Sequence, residues 1–210
     1  MKVMLRAATA CSVFLSLCSG AMAACKLEIS RTATVAQVID GHTLRLDDAS
    51  EVRLIGALAP QTPRWWKKDA AWPPAVRARR APETLIGSSK IELRFVPEEE
   101  QRDRHERYLA QLFVQRGNER IWVQGHMIGE GLAQAYSLKG HRACARALQE
   151  KEQSARTARS GLWRKGRYRV LQATSTGDLS KRSDSFQLVE GTVRSVGKVS
   201  QWTFLNFDTD

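Results

Sequence analysis

The fold is decided by the stretch from residue 34 to residue 56, which reads TVAQVIDGHTLRLDDASEVRLIG. Apolar and polar residues alternate in three short runs, and this two-residue period is typical of β-strands with one buried face. The runs are residues 34–39, 43–46 and 51–55. Two turn sequences separate the runs: Asp40-Gly41 and the mostly polar residues 47–50. The stretch therefore predicts an antiparallel meander of three strands.

Beyond the meander, the pattern predicts two further strands and three helices. The strands are expected at 90–96 and 108–114, and the helices at 75–86, 122–132 and 141–158. Pro82 predicts a kink or an early end of the first helix, because proline has no N–H to donate. Gly161 follows the last helix, where glycine is the usual stop signal. Strands with helices gathered around them predict an α+β fold.

The composition is that of a folded, strongly basic protein. The 210 residues include 33 Lys and Arg against 22 Asp and Glu, which gives a net charge of +11, and 42% of them are hydrophobic. This hydrophobic fraction excludes a basic disordered tail. No apolar run is long enough for a transmembrane helix, which excludes a multi-spanning protein. The charge predicts an anionic partner, such as nucleic acid or another anionic polymer.

Residues 1–23 have the features of a secretory signal peptide. Lys2 and Arg6 form a positive start, an apolar stretch follows at 7–17, and small residues stand at 21–23 before the expected cleavage site. We therefore expect an exported protein, periplasmic or secreted, with no transmembrane anchor in the mature chain. Cleavage would remove two cations and no acid, which lowers the net charge from +11 to +9.

Export would leave two of the four cysteines, Cys25 and Cys144, in an oxidising compartment. An even pair in such a compartment favours a disulfide. Two unpaired buried thiols are the alternative, because the sequence alone does not fix the distance between the two residues.

The chain divides into four expected segments: the signal peptide at 1–23, a main domain at 24–168, a polar linker at 169–185 and a short β segment at 186–210. The last segment alternates again, which predicts two or three short strands. Because a lone hairpin is marginal in water, this segment either joins the sheet of the main domain or begins a second, incomplete domain. The abrupt end of the chain favours the second interpretation.

Three separated segments resemble the motifs of the thermonuclease (staphylococcal-nuclease-like) family. They read VIDGHTL at 38–44, RLIGALAPQ at 53–61 and DRHERYLA at 103–110. The family motifs to which they are similar are V-x-D-G-D-T-[LV], R-L-x-G-I-D-x-P-E and D-x-Y-G-R-x-[LV]-A. The resemblance covers about residues 32–168. It implies an OB-fold-type, five-stranded antiparallel barrel with about three helices, whose site cleaves phosphodiester bonds in DNA and RNA with a calcium ion.

The resemblance implies that the family's two phosphate-binding arginines are retained as Arg53 and Arg107. Arginine suits this role because its guanidinium presents a bidentate fork to phosphate oxygens. Asp40 matches the first aspartate of the family's D-G-D turn, so a carboxylate also remains near the site.

The acidic positions of the family motif are replaced. His42 and Leu58 stand where the resemblance places the two metal aspartates, and Gln61 stands in place of the general-base glutamate. Calcium prefers oxygen ligands, which neither His42 nor Leu58 supplies. Loss of a general base alone costs about 10²–10⁴ in rate. We therefore expect no cofactor, whereas an intact family site would bind calcium.

His42 has two interpretations. The commoner case is a turn histidine at the surface. The alternative is a ligand for a metal other than calcium, together with Asp40, His105 or His126.

Trp65, Trp66, Lys67 and Lys68 combine aromatic rings with cations, as surfaces that stack nucleic acid bases do. The alternative is a proline-rich loop that packs its tryptophans against the barrel.

Three functions are compatible with these residues. The first is an exported thermonuclease-like protein with impaired catalysis, which binds nucleic acid or another phosphate-bearing polymer through Arg53 and Arg107. The second is an active nuclease with an altered or absent metal. The third is an envelope protein-interaction module in which the basic charge is incidental. We favour the first, because two arginines remain beside three lost acidic positions.

Overall fold

The domain begins with a bent stretch of chain that forms two strands, β1 (Ile29–Ala33) and β2 (Val35–Asp40). A computed structural model describes residues 25–67, 69–164, 166–182 and 186–207. The predicted meander continues from β2 into β3 (Thr43–Leu46) and β4 (Glu51–Leu54). These three strands pair antiparallel, which confirms the meander. The predicted signal peptide lies outside the described residues.

Seven strands form the main sheet. The further strands of the domain are β5 (Ala57–Leu58), β6 (Ile91–Phe95), β7 (Tyr108–Arg116), β8 (Glu119–Trp122) and β9 (Gln134–Ala135). The strand order is β1-β6-β7-β4-β3-β2, with β8 paired to β7, while β5 and β9 pair separately. The sheet therefore exceeds the expected five strands, because β1 and β8 also pair into it.

The sheet is mixed rather than purely antiparallel. β4 and β7 run parallel, with Arg53 opposite Leu109, whereas the other pairs of the main sheet run antiparallel. Within the described residues no pairing joins β1 to β2, so the strand order does not close into a barrel. Only Thr34 separates these two end strands along the chain. The α+β class is confirmed.

A buried glutamine supports the point where β7 changes partner. β7 pairs with β4 through Ala110 and with β6 from Gln111 onward. The Gln124 amide accepts a hydrogen bond from the Leu112 N–H at 3.0 Å and donates one to the Ala110 carbonyl at 2.8 Å. The buried Leu112 N–H and Ala110 carbonyl, where β7 changes partner, are thereby both hydrogen-bonded, as a stable core requires.

Four α-helices accompany the strands within the described residues. They are α1 (Pro73–Ile86), α2 (Val123–Gly129), α3 (Ala145–Thr157) and α4 (Thr176–Ser180), with short 3-10 turns at Gly161–Arg164 and Gly166–Tyr168. α1 begins with two prolines, which are tolerated in a first helical turn. Its buried face carries Ala78, Pro82 and Ile86 at four-residue spacing. The helix continues four residues beyond Pro82, so the expected early end does not occur.

The C-terminal part of the chain forms strands, as predicted. β10 (Leu171–Gln172) pairs parallel with β11 (Val189–Glu190), and β12 (Ser195–Val199) forms an antiparallel hairpin with β13 (Trp202–Asn206). β10 and α4 both lie inside the segment predicted as a linker. Within the described ranges the hairpin pairs only with itself. No described helix is both long and apolar enough to cross a membrane.

A disulfide joins Cys25 to Cys144 across 119 residues of sequence, with a Cα–Cα distance of 4.8 Å. The predicted bridge is confirmed. It ties the chain just before β1 to the residue that precedes α3. Cys144 is buried in the core, where it packs with residues of the sheet and of α2.

Removal of this disulfide should destabilise the domain. A Cys25→Ala/Cys144→Ala variant is expected to lose about 2–5 kcal/mol of unfolding free energy, because a long loop is no longer closed in the unfolded chain. Urea denaturation of the oxidised protein and of the variant measures the loss. Reduction of the wild-type protein should give a similar loss. Equal urea midpoints for variant and oxidised wild type would contradict the prediction.

Candidate functional site

The turn between β2 and β3 is held by its own aspartate and by close packing. The Asp40 carboxylate accepts a hydrogen bond from the His42 N–H at 2.8 Å, the usual way in which aspartate fixes a turn. Gly41 has no room for a side chain: an added Cβ would lie 2.5 Å from the Ala59 Cβ and 2.8 Å from the Ala78 Cβ. The turn is therefore pressed between the chain after β5 and helix α1.

His42 is buried, with 7% of its surface exposed. Its Nδ1 lies 3.3 Å from the Ala59 N–H and 3.6 Å from the Asp40 carboxylate. Burial lowers the pKa of His42, and the positive charges of the two site arginines lower it further, although Asp40 opposes them. The imidazole is therefore neutral at pH 7, and its Nδ1 accepts the hydrogen bond from Ala59 instead of binding a metal ion.

Arg53 lies on β4, between Thr43 of β3 and Leu109 of β7. It is half-buried, and no hydrogen bond or ion pair joins its guanidinium to another described residue. Its charge lowers the pKa of His42, whose carbonyl accepts a hydrogen bond at 2.8 Å from the N–H of Leu54, the residue after Arg53. The site therefore contains a cation with no carboxylate partner among the residues that the structure describes.

Arg107 is the second cation near His42, and it is held by Asp103. Its Nε and Nη2 atoms donate hydrogen bonds to one oxygen of the Asp103 carboxylate at 2.8 and 2.6 Å. Both side chains are largely buried, with exposed fractions of 21% and 16%. Burial acts to raise the pKa of Asp103, but the hydrogen bonds from Arg107 and from two backbone N–H groups outweigh it, so the pKa is lowered.

Asp103 is a site residue to which the sequence interpretation assigned no role. Its carboxylate also accepts hydrogen bonds from the His105 and Arg107 N–H groups, so one side chain shapes the whole loop before β7. The signal was present, because Asp103 matches the first residue of the third motif. Glu106 occupies the motif's glycine position and keeps a left-handed φ of 60°, which costs a residue with a side chain about 1–2 kcal/mol.

Leu58 and Gln61 lie at one cavity of about 350 Å³. Leu58 is fixed on β5 by pairing with Gln134 of β9, and Gln61 is exposed in the loop that follows. Ala59, which also lines the cavity, donates its N–H to His42. Leu58 and Gln61 lie on one short segment, and His42 contacts that segment at Ala59. The structure therefore brings the three replaced positions close to one another.

These residues do not fit a calcium ion. Leu58 has no donor atom, and the Nδ1 of His42 is engaged by Ala59. Among the residues that the structure describes, no group of three or more His, Cys, Asp or Glu side chains could hold a metal ion. The alternative metal set of His42, Asp40, His105 and His126 is therefore not assembled. The Nε2 of His105 instead lies 3.1 Å from the Arg104 Nε, a donor.

The predicted aromatic surface is a cluster of three rings. Trp65, Trp66 and Trp72 contact each other edge to face, with ring centroids 4.5 to 6.0 Å apart. The Trp66 indole donates a hydrogen bond to the Ala70 carbonyl at 2.7 Å, and Trp65 stays 44% exposed. Lys67 is exposed, whereas Lys68 lies outside the described residues.

The chain was compared with models of known protein families and with curated proteins. The family model described as staphylococcal nuclease homologue matches residues 51–165, which is more than half of the chain. The chain belongs to this family. No curated protein matches the chain. The match confirms the resemblance and includes Arg53, Arg107, Leu58 and Gln61, while the turn at Asp40 precedes it. Membership of the staphylococcal nuclease homologues points to nuclease-like binding of nucleic acid.

A side chain at Gly41 should disrupt the turn. We expect Gly41→Ala to cost about 1–3 kcal/mol of unfolding free energy, because the added methyl overlaps Ala59 and Ala78. Gly129→Ala is the matched control, since an added Cβ there meets no atom within 4 Å. Thermal or urea denaturation of both variants measures the difference. Equal stability of the two variants would refute the packing argument.

The buried imidazole should make stability depend on pH. Because burial lowers the pKa of His42 below its ordinary value of 6.5, the unfolded chain binds the proton more readily than the folded one. The stability that this group contributes is present above that value and is lost as the pH falls below it. His42→Asn, whose amide oxygen can accept the Ala59 N–H, is expected to lose less unfolding free energy between about pH 7 and about pH 5. Parallel urea titrations test this, and an identical pH dependence would disprove it.

Proposed function

We propose that this protein is an exported staphylococcal nuclease homologue that binds nucleic acid, or another phosphate-bearing polymer, without cleaving it. The observation that carries the proposal is a site with a half-buried Arg53, which has no hydrogen bond or ion pair to the part of the chain that the structure describes, and an Arg107 held in place by Asp103. Phosphate is the natural partner of such guanidinium groups, since it accepts two parallel hydrogen bonds and carries the opposite charge.

The neutral state of His42 supports binding of an anion. An aspartate at this position would place a carboxylate within the field of Arg53 and Arg107 and would compete with a phosphate for them. The neutral imidazole adds no negative charge, so the attraction for a phosphate at Arg53 is retained. Asp103 offsets the charge of Arg107 but also fixes its orientation, and an already oriented cation loses little entropy on binding.

The same residues argue against turnover. Gln61 orients a water molecule but does not take its proton, and this loss alone costs about 10²–10⁴ in rate. Leu58 supplies no charge and no hydrogen bond to a transition state. Without a general base or a metal ion the attacking water is not activated, so the positioned cations contribute affinity for phosphate rather than turnover.

Export is supported by two independent features. Residues 1–23 carry the charge and hydrophobicity pattern of a secretory signal. The Cys25–Cys144 disulfide is of a kind that persists in oxidising compartments and is rare in the cytosol. Together these features support the proposed periplasmic or secreted placement.

Removal of the Arg53 cation should weaken binding of a single-stranded oligonucleotide. Arg53→Ala is expected to raise the dissociation constant by about 10–100-fold, because a charge-assisted hydrogen bond contributes about 1.5–3 kcal/mol. Fluorescence anisotropy of a labelled oligonucleotide at low salt measures the effect. Arg45→Ala is the control, since Arg45 lies on neighbouring β3 and is exposed, with Glu51 3.0 Å away.

Cleavage is tested in the same preparations. Plasmid DNA and RNA are incubated with calcium, zinc, manganese or chelator, and intact nucleic acid is expected in every case. A His42→Asp/Leu58→Asp/Gln61→Glu variant restores the acidic positions and serves as the comparison for calcium-dependent cleavage. Wild-type cleavage that disappears in Arg107→Ala would overturn the proposal in favour of an active nuclease with altered chemistry. An oligonucleotide that does not bind even at low salt would also overturn it.

A further inference from the structure

Three cavities of the domain adjoin one another through shared lining residues. The cavity at Leu58 and Gln61 shares Tyr168 with a second cavity of about 530 Å³, and this one shares Arg77 and Leu132 with a third of about 450 Å³. We call these three adjoining cavities the trough. Their combined volume exceeds that of a small-molecule site, which is about 300–1,000 Å³. The trough therefore suits an extended ligand.

The lining of the trough is basic. Five arginines line it, and no aspartate or glutamate does so within the part of the chain that the structure describes. The arginines are Arg64, Arg77, Arg80, Arg116 and Arg164. A cavity on another face of α1 is lined by Arg79 together with Glu83, which lie 3.7 Å apart. The absence of acids is thus a property of the trough and not of the helix surface in general.

Aromatic rings lie in the middle of the trough. Trp66 and Trp72 line the second cavity, and Tyr168 lies where the first and second cavities join. Aromatic side chains between cations are the combination on which successive bases of a single strand stack. A duplex keeps its bases covered by their own stacking, so the rings would gain little from it.

The trough begins at the candidate site. Leu58, Ala59 and Gln61 line its first cavity, and the Ala59 N–H contacts His42, which lies near both site arginines. Two of the motif positions that lost their carboxylates, Leu58 and Gln61, therefore belong to the trough as well as to the candidate site.

We propose that the trough binds a single strand of nucleic acid, with its phosphates on the arginines and its bases against Trp66, Trp72 and Tyr168. This inference rests on the proposed function and extends it, because it assigns the strand state of the ligand and its course across the domain. Sites on OB folds take about 4–16 nucleotides, so a strand of this length should fill the site and the trough together.

Charge variants test the course of the strand. Arg77→Gln/Arg80→Gln is compared with Arg79→Gln/Arg146→Gln, which removes the same charge from exposed positions outside the trough. Binding of the full chain to an oligomer of about 15 thymidines is measured across a salt series. The trough variant should lose about 10-fold or more in affinity, and its salt slope should fall by about 1.4, since each single-strand phosphate contact contributes about 0.7. In the control variant the salt slope should fall by less than half of that decrease.

Tryptophan variants test stacking. Trp66→Leu is expected to weaken binding of the same oligomer by about 5-fold or more. An oligomer of abasic residues should bind the variant and the wild type equally. Trp202→Leu, on the exposed hairpin of β12 and β13, is the matched control and should bind as the wild type does. Near-ultraviolet circular dichroism verifies that each variant remains folded.

Ligand length separates this inference from the proposed function. If a thymidine dinucleotide binds in an Arg53-dependent manner, but the longer oligomer binds no better, the trough is refuted and the proposed function stands. If the longer oligomer binds through Arg77 and Arg80 but is insensitive to Arg53→Ala, the trough is supported and the proposed site fails. Equal affinity for duplex DNA or for heparin would overturn the assignment to a single strand. Binding of neither oligomer would overturn both.

Discussion

The parallel pairing of β4 with β7 is the contact on which the site depends. It sets Arg53 opposite Leu109, two residues after Arg107, although more than fifty residues separate the two strands in the sequence. β4 also ends the meander, and β7 also pairs with β6 and β8. A parallel pair needs a long crossover, and here the crossover contains α1, which presses Ala78 against the turn at Gly41. One backbone pairing thus brings the second and third motifs together, while its connection positions the first.

The local parts of the fold could be predicted from the sequence because they follow from local patterns. The meander needs only two-residue alternation and turn residues, and both lie within residues 34–56. The disulfide was predicted from an even count of cysteines in a chain expected to be exported. β1 and β8 were missed, because short strands at a sheet edge have no strong pattern of their own and form through pairing with β6 and β7. Pro82 was misjudged in part, because its burial in α1 against the domain outweighs the lost backbone hydrogen bond.

The identities of the site residues could be predicted, but their interactions could not. The motifs assigned Arg53 and Arg107 alike to phosphate. In the structure Arg53 has no partner among the described residues, whereas Arg107 is paired with Asp103. His42 was interpreted as a surface turn residue or a metal ligand, whereas it is buried and accepts a hydrogen bond from Ala59. The pair of Asp103 and Arg107 is local, four residues apart, whereas the contact of His42 with Ala59 joins segments that are 17 residues apart. Such contacts decide whether a charge is solvated, paired or available to a ligand.

The disulfide between Cys25 and Cys144 closes a covalent ring that contains Asp40, Arg53 and Arg107. The exposed stretch around residue 65 lies inside this ring, and such stretches are where a protease cuts first. A single cut there would leave Arg53 on one fragment and Arg107 on the other, but the two fragments would remain one molecule. A nicked protein would therefore migrate as intact chain on a non-reducing gel and separate only after reduction. In a compartment that contains proteases, the ring preserves the pairing of β4 with β7 after the backbone between them is broken.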